Sequence, residues 1–156
     1  MGGSMLERLN QLVDDIQSLN SKLVLLIGPP RSGKTRLLEG LANHRQLTVF
    51  KVGGSLGRQL LAIPNAQRHL TAAALLSDLA AQHSKDGLVI FDNIELLFDQ
   101  SLRLDPLDLL KRNGRTRRVV AAWPGELSNN RLAYATMGHP ERQDYAVDGL
   151  VPFEIN

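Results

Sequence analysis

Apolar positions recur along the chain in two rhythms. Leu6, Leu9, Val13 and Ile16 fall at helical spacing, with Leu12 and Leu19 widening the stripe, so residues 5–20 read as an amphipathic helix. Residues 23–27 and 88–91 are instead short, wholly apolar runs, the mark of strands buried on both faces. Residues 47–52 predict another strand, ended by Gly53-Gly54; residues 118–123 predict a fourth and 145–151 a fifth. Between them lie helical patterns at 36–42, at 56–63 before Pro64, and at 71–82 with Thr71 as N-cap. Shorter helical stretches are expected at 94–98 and 106–111. Strands alternating with helices predict an α/β fold, a mostly parallel sheet of about five strands flanked by helices.

Length and composition narrow this frame. Residues 1–4 precede a second methionine and read as an expression-derived tail, leaving 5–156 as one domain. A chain of this size buries on the order of 70% of its extended surface, and is too short for this core plus a separate C-terminal lid domain. The 43% hydrophobic and 22% charged content is that of an ordinary soluble globule, and no apolar run approaches the ~18 residues of a membrane span. Zero cysteines exclude disulfides and thiolate metal sites and fit a cytoplasmic location. A net charge of +2 leaves any nucleic-acid affinity to a local patch. The four histidines are scattered without metal-ligand spacing.

The chemistry concentrates after the first strand. Gly28-Pro29-Pro30-Arg31-Ser32-Gly33-Lys34-Thr35 fits G-x-x-x-x-G-K-[ST], the phosphate-binding loop of a P-loop NTPase (Walker A), set between a buried strand and a helix. Backbone N–H groups of residues 31 to 35 are expected to cradle the β- and γ-phosphates, with Arg36 completing the nucleotide-binding stretch. Gly28 and Gly33 answer a need for positive φ and close approach, while Pro29 and Pro30 stiffen the lead-in. Lys34 is expected on the β/γ-phosphates and the Thr35 hydroxyl on Mg²⁺.

Asp92 closes the apolar run Leu88-Val-Ile-Phe, the Walker B form, and is expected to hold Mg²⁺ through water. Its position after an intervening strand suits the additional-strand class of ATPases. Many hydrolysing members of that class follow the aspartate with glutamate; here it is Asn93, whose amide can position water but cannot take its proton. Glu95 could serve as base only if the following loop curls back. The fourth strand ends Ala121-Ala122-Trp123-Pro124 with no polar γ-phosphate sensor; Ser128, Asn129 and Asn130 come later, and Trp123 is expected as buried packing. Slow or partner-dependent hydrolysis follows.

Arginines are the remaining resource. Lys111, Arg112, Arg115, Arg117 and Arg118 form a basic turn before the fourth strand, on the rim opposite the nucleotide, where DNA phosphates or an acidic partner could bind. Arg131 and Arg142 lie between the fourth and fifth strands, where oligomeric ATPases place the arginine that reaches a neighbour's γ-phosphate. No guanine-specific N-K-x-D signal occurs, which favours ATP.

Together GPPRSGKT, FDNIELLF, the AAWPG strand end and LAYATMGHPERQDY resemble the BrxF family, small P-loop proteins of type 3 BREX bacteriophage-defence systems. The resemblance covers nearly all of the chain after Ser4. The DNIE stretch is also similar to AAA+ initiators of the DnaA and Hda kind. The resemblance implies an AAA+-like, bacterial, cytoplasmic component that binds ATP and Mg²⁺, forms oligomers, and acts with other BREX proteins. Those partners include a large ATPase, a DNA methyltransferase and a PglZ-type protein. On it, Gly28, Gly33, Lys34 and Thr35 carry nucleotide roles and Asp92 the Walker B role. A DNA-loading ATPase is the nearest alternative; a small-molecule kinase lacks a lid segment on the correct rim.

Overall fold

The computed structural model describes residues 2–29, 31–134 and 143–155. In chain order the first elements are α1 (Gly2–Asp15), β1 (Leu23–Ile27), α2 (Lys34–His44), β2 (Phe50–Lys51), α3 (Val52–Leu61), α4 (Arg68–His83) and β3 (Leu88–Asp92). They continue with α5 (Pro106–Asn113), β4 (Arg118–Ala122), β5 (Gly125–Ser128), β6 (Arg131–Tyr134), β7 (Gln143–Ala146) and β8 (Val151–Glu154). Short 3₁₀ turns at Ile16–Ser18, Asn65–Gln67, Ile94–Phe98 and Gln100–Leu102 lie in three of the connections, the last two both between β3 and α5.

Five strands form one sheet in the order β2-β3-β4-β1-β8, and every pair is parallel. The P-loop strand β1 and the aspartate strand β3 are thus separated by β4, as expected for the additional-strand class. β1, β3 and β4 are buried along their whole length, which explains their unbroken apolar sequences. Leu23, Leu25 and Ile27 join the core formed with α3, α4 and α5, whereas Val24 and Leu26 join Leu9, Val13, Leu38 and Leu41 of α1 and α2. This period of two makes the fold a helix–sheet–helix sandwich. Each such side chain stabilises it by about 1.5–3 kcal/mol relative to exposure. Among the described residues no lid domain is present, and no helix is long and apolar enough to cross a membrane.

Several expected boundaries move. The second strand shrinks to Phe50–Lys51, and Gly53-Gly54 lie inside α3 instead of ending a strand. Gly53 N–H donates to the carbonyl of Asn93, and a Cβ at Gly53 would stand 3.3 Å from that oxygen. The glycine therefore lets α3 approach the loop after β3. Thr71 is not an N-cap: α4 begins at Arg68, and the Thr71 hydroxyl donates back to the carbonyls of Gln67 and Arg68. α1 begins at Gly2, so residues 2–4 continue the helix expected from Met5.

The expected fifth strand over 145–151 is two half-strands of different sheets. Gly149, at φ +70°, turns the chain between β7 and β8, and β8 pairs with β1. β7 belongs instead to a three-stranded antiparallel sheet, β5-β6-β7, that the sequence reading did not anticipate. Its first hairpin has a two-residue loop, Asn129-Asn130, with φ of 52° and 58°. Positive φ at both central residues is the twist-matched hairpin turn, and asparagine tolerates it well. Asn129 and Asn130 thereby have a structural task, far from a γ-phosphate sensor. Trp123 anchors this sheet: fully buried as expected, its indole N–H donates to the Ala133 carbonyl at 3.1 Å, and its ring meets Phe98 and Tyr145 edge to face.

Candidate functional site

The site is built where β1 delivers the chain into α2. A Cβ at Gly28 would meet the Ser32 hydroxyl at 2.7 Å and the Ile155 carbonyl at 2.9 Å, so this glycine is required by crowding. Gly33 is required for a different reason: its φ is +100°, with open space where a Cβ would sit. Positive φ is therefore not the need at Gly28; instead the non-glycine Arg31 takes φ 64°. Ser32 N–H closes the turn onto the Pro29 carbonyl at 3.1 Å, and α2 starts at Lys34. Pro30 lies outside the described residues. Arg31, Ser32, Gly33, Lys34, Thr35 and Arg36, with Glu39 one turn into α2, line a cavity of about 500 Å³.

Three side chains named from sequence converge at the carboxyl ends of β1, β3 and β4. The Lys34 ammonium donates to the carbonyls of Gly28 (3.0 Å) and Trp123 (2.9 Å). Burial holds its pKa below the ordinary lysine value, partly offset by the charges of Glu95 and then Asp92. The Thr35 hydroxyl donates to Asp92 Oδ2 at 2.8 Å. Asp92 is buried, and its Oδ1 accepts the Asn93 N–H at 2.9 Å. Inside this loop the buried Ser32 hydroxyl has no hydrogen-bond partner among the described residues.

Asn93 takes the left-handed conformation, φ 54° and ψ 50°, and starts the 3₁₀ turn Ile94–Phe98. The loop thus curls, and Glu95 is the strongest of the charges favouring the Lys34 ammonium. Arg131 is exposed at the first position of β6, opposite Ser128 beside the hairpin turn. With four residues per strand it stands about 10 Å along the hairpin from Gly125, and no described hydrogen bond or ion pair joins it to the P-loop. Arg142 lies outside the described residues.

The basic turn is less available than its sequence suggests. Arg118 is buried, donating to the carbonyls of Val13 (3.2 Å) and Asp86 (2.9 Å), with Asp14 at 3.7 Å. Its guanidinium ties the end of α1 to the start of β4 and is the least accessible of the five cations. Lys111 pairs with Asp148 and Arg112 with Asp108, while Arg117 is hydrogen-bonded to Asn113. Arg115 is exposed.

Sequence reasoning missed Lys51. At the end of β2, level with Asp92 in the β2–β3 register, its ammonium stands 3.2 Å from Asp92 Oδ2. A lone lysine closing an apolar run gives no hint of this, because the contact depends on which strands are neighbours.

No protein-family model matches the chain, and neither does any curated protein. Among solved structures, that of C. elegans PCH-2 is similar, with a TM-score of 0.52 at 16% identity. The match covers 98% of this chain and 42% of that one, so this chain spans less than half of PCH-2. At such identity the likeness is one of fold alone.

Proposed function

We propose that the chain binds ATP with Mg²⁺ in the loop between β1 and α2, turns it over slowly, and uses the bound state to control assembly. The observation that carries this reading is the meeting of Lys34, Thr35 and Asp92 at one end of the sheet, around a cavity lined by successive loop residues. The unpartnered Ser32 hydroxyl supports it, since a buried donor without an acceptor suits an absent anion. A magnesium ion fits the donors present: the Thr35 hydroxyl and the Asp92 carboxylate are hard oxygens, side by side and next to the loop. When bound, the metal would be held by Thr35 directly and by Asp92 through water, and would neutralise phosphate charge.

The chain's own groups limit turnover. Asn93 cannot accept a proton from water, which leaves Glu95, curled toward the loop, as the candidate base. A second subunit is the natural source of water exclusion and of an arginine, Arg131 or Arg142, for the γ-phosphate. In the cell we place this component in the cytoplasm with the other proteins of a bacterial BREX phage-defence system, on the strength of the FDNIELLF and LAYATMGHPERQDY resemblance. DNA loading is less favoured, because the basic turn has Arg118 buried and Lys111 and Arg112 paired.

Calorimetry with MgATP tests the binding claim. Wild-type protein binds, and Lys34→Ala, folded by circular dichroism, loses at least about tenfold in affinity, as expected for removing a charge-assisted phosphate contact. Equal affinity in both overturns the cradle. Light scattering with and without ATP tests assembly; an unchanged monomer in both removes it.

A further inference from the structure

Asp92 already has a cation. Its Oδ2 accepts from both the Thr35 hydroxyl (2.8 Å) and the Lys51 ammonium (3.2 Å), and its Oδ1 accepts from the Asn93 N–H. A carboxylate offers about four lone-pair sites, and three are occupied here. The aspartate is buried, whereas the Lys51 side chain is 42% exposed and can swing into solvent. Two of the donors are compatible with a metal held through water: the threonine hydroxyl and the main-chain amide leave the carboxylate's charge intact. The ammonium does not, because it neutralises the same charge that would attract the hydrated ion.

We propose that Lys51 is a built-in counter-cation of this site, holding the Asp92 carboxylate in place of Mg²⁺ and competing with it. The inference rests on the nucleotide-binding reading above and adds to it a specific regulation, by free magnesium. With Lys51 on the aspartate, the loop accepts a triphosphate with little help from metal. Magnesium engages Asp92 only by displacing the lysine. β2 is kept to two residues and runs straight into α3, which fixes the lysine beside β3.

The test is calorimetry of ATP binding in EDTA and across a magnesium series, for wild type, Lys51→Met and Lys51→Arg. The readout is the ratio of Kd in EDTA to Kd in saturating Mg²⁺. Competition at one carboxylate is a coupling between two ligands, for which factors of at least about fivefold are typical. The expected result is a small ratio in wild type, a ratio at least about fivefold larger in Lys51→Met, and a wild-type-like ratio in Lys51→Arg. An unchanged ratio in Lys51→Met overturns the proposal. So does loss of ATP binding in Lys51→Met under every condition, which would make Lys51 a phosphate ligand instead. Lys51→Arg behaving like Lys51→Met also overturns it, since charge would not be the cause. Wild-type protein that binds no ATP with or without metal fails the underlying reading; wild type that binds, with ratios indifferent to Lys51, fails this inference alone.

Discussion

The ammonium of Lys34 donates to the main-chain carbonyl of Trp123 at 2.9 Å, joining the start of α2 to the end of β4. The same tryptophan donates its indole N–H to Ala133 in the antiparallel sheet. One residue therefore touches the phosphate loop with its backbone and the accessory sheet with its side chain. A ligand that draws Lys34 away from the Trp123 carbonyl acts on both.

The pH dependence of ATP affinity follows from Lys34. Burial lowers its pKa from the ordinary 10.5, so the free protein loses this proton at a lower pH than the unfolded chain does. Bound phosphate favours the charged form. ATP affinity is therefore expected to fall as pH rises through the lowered value, with proton uptake on binding in that window. Lys34→Arg, which stays charged, flattens the alkaline limb. Glu95→Gln removes the largest charge supporting the ammonium and moves the limb to lower pH. Fluorescence or calorimetric titrations at stepped alkaline pH check both shifts.

Tyr145 sets an alkaline limit on stability. Burial, helped by Asp105, pushes its pKa from 10.0 to about 12. Between those values the unfolded chain has lost the phenolic proton and the folded chain keeps it, so unfolding free energy falls as pH rises. Below 10.0 both states are protonated and the contribution is complete. Tyr145→Phe abolishes this slope, which urea melts at pH 9, 10 and 11 measure.

Gly125→Ala is expected to detach the accessory sheet. An added Cβ falls on the Ala133 carbonyl that accepts the Trp123 indole, and stands 2.9 Å from the indole nitrogen itself. Both obstacles are in packed structure, and the cost is about 1–3 kcal/mol or more. The chain has a single tryptophan, so its emission reports the event directly. A red shift with ATP binding retained is the expected outcome; unchanged emission and stability would contradict the anchoring role.

Arg118→Ala is expected to lower stability by about 1–3 kcal/mol, because it leaves the buried Val13 carbonyl, and the part-buried one of Asp86, without their charged donor. Arg115→Ala is expected to change stability by less than about 0.5 kcal/mol, as at an ordinary exposed position. Chemical denaturation of the two variants side by side checks the contrast.

The central strands were legible because burial on both faces leaves only apolar residues, and the turn from β1 into α2 because its glycines answer crowding at Gly28 and positive φ at Gly33. Asp92, expected at the close of the third strand, is found there beside Thr35. What escaped were features set by partners distant in sequence. Lys51 acquires its meaning from the β2–β3 register, and Arg118 looks like its basic neighbours until α1 packs over it. The 145–151 run looked continuous because both halves are apolar, although Asp148-Gly149 divides them. The Asn129-Asn130 pair is a usable hairpin signal, since asparagine tolerates positive φ at both central positions.

Gly28 opens the phosphate loop, yet its close neighbour is the Ile155 carbonyl, and Ile155 N–H in turn bonds Ile27 at 2.7 Å. The loop's lead-in is therefore shouldered by a residue more than a hundred positions further along the chain. During synthesis β1 waits with one edge bare until β8 slots in. Trimming the chain back from residue 151 should therefore cost the loop its shape while leaving the earlier strands able to associate.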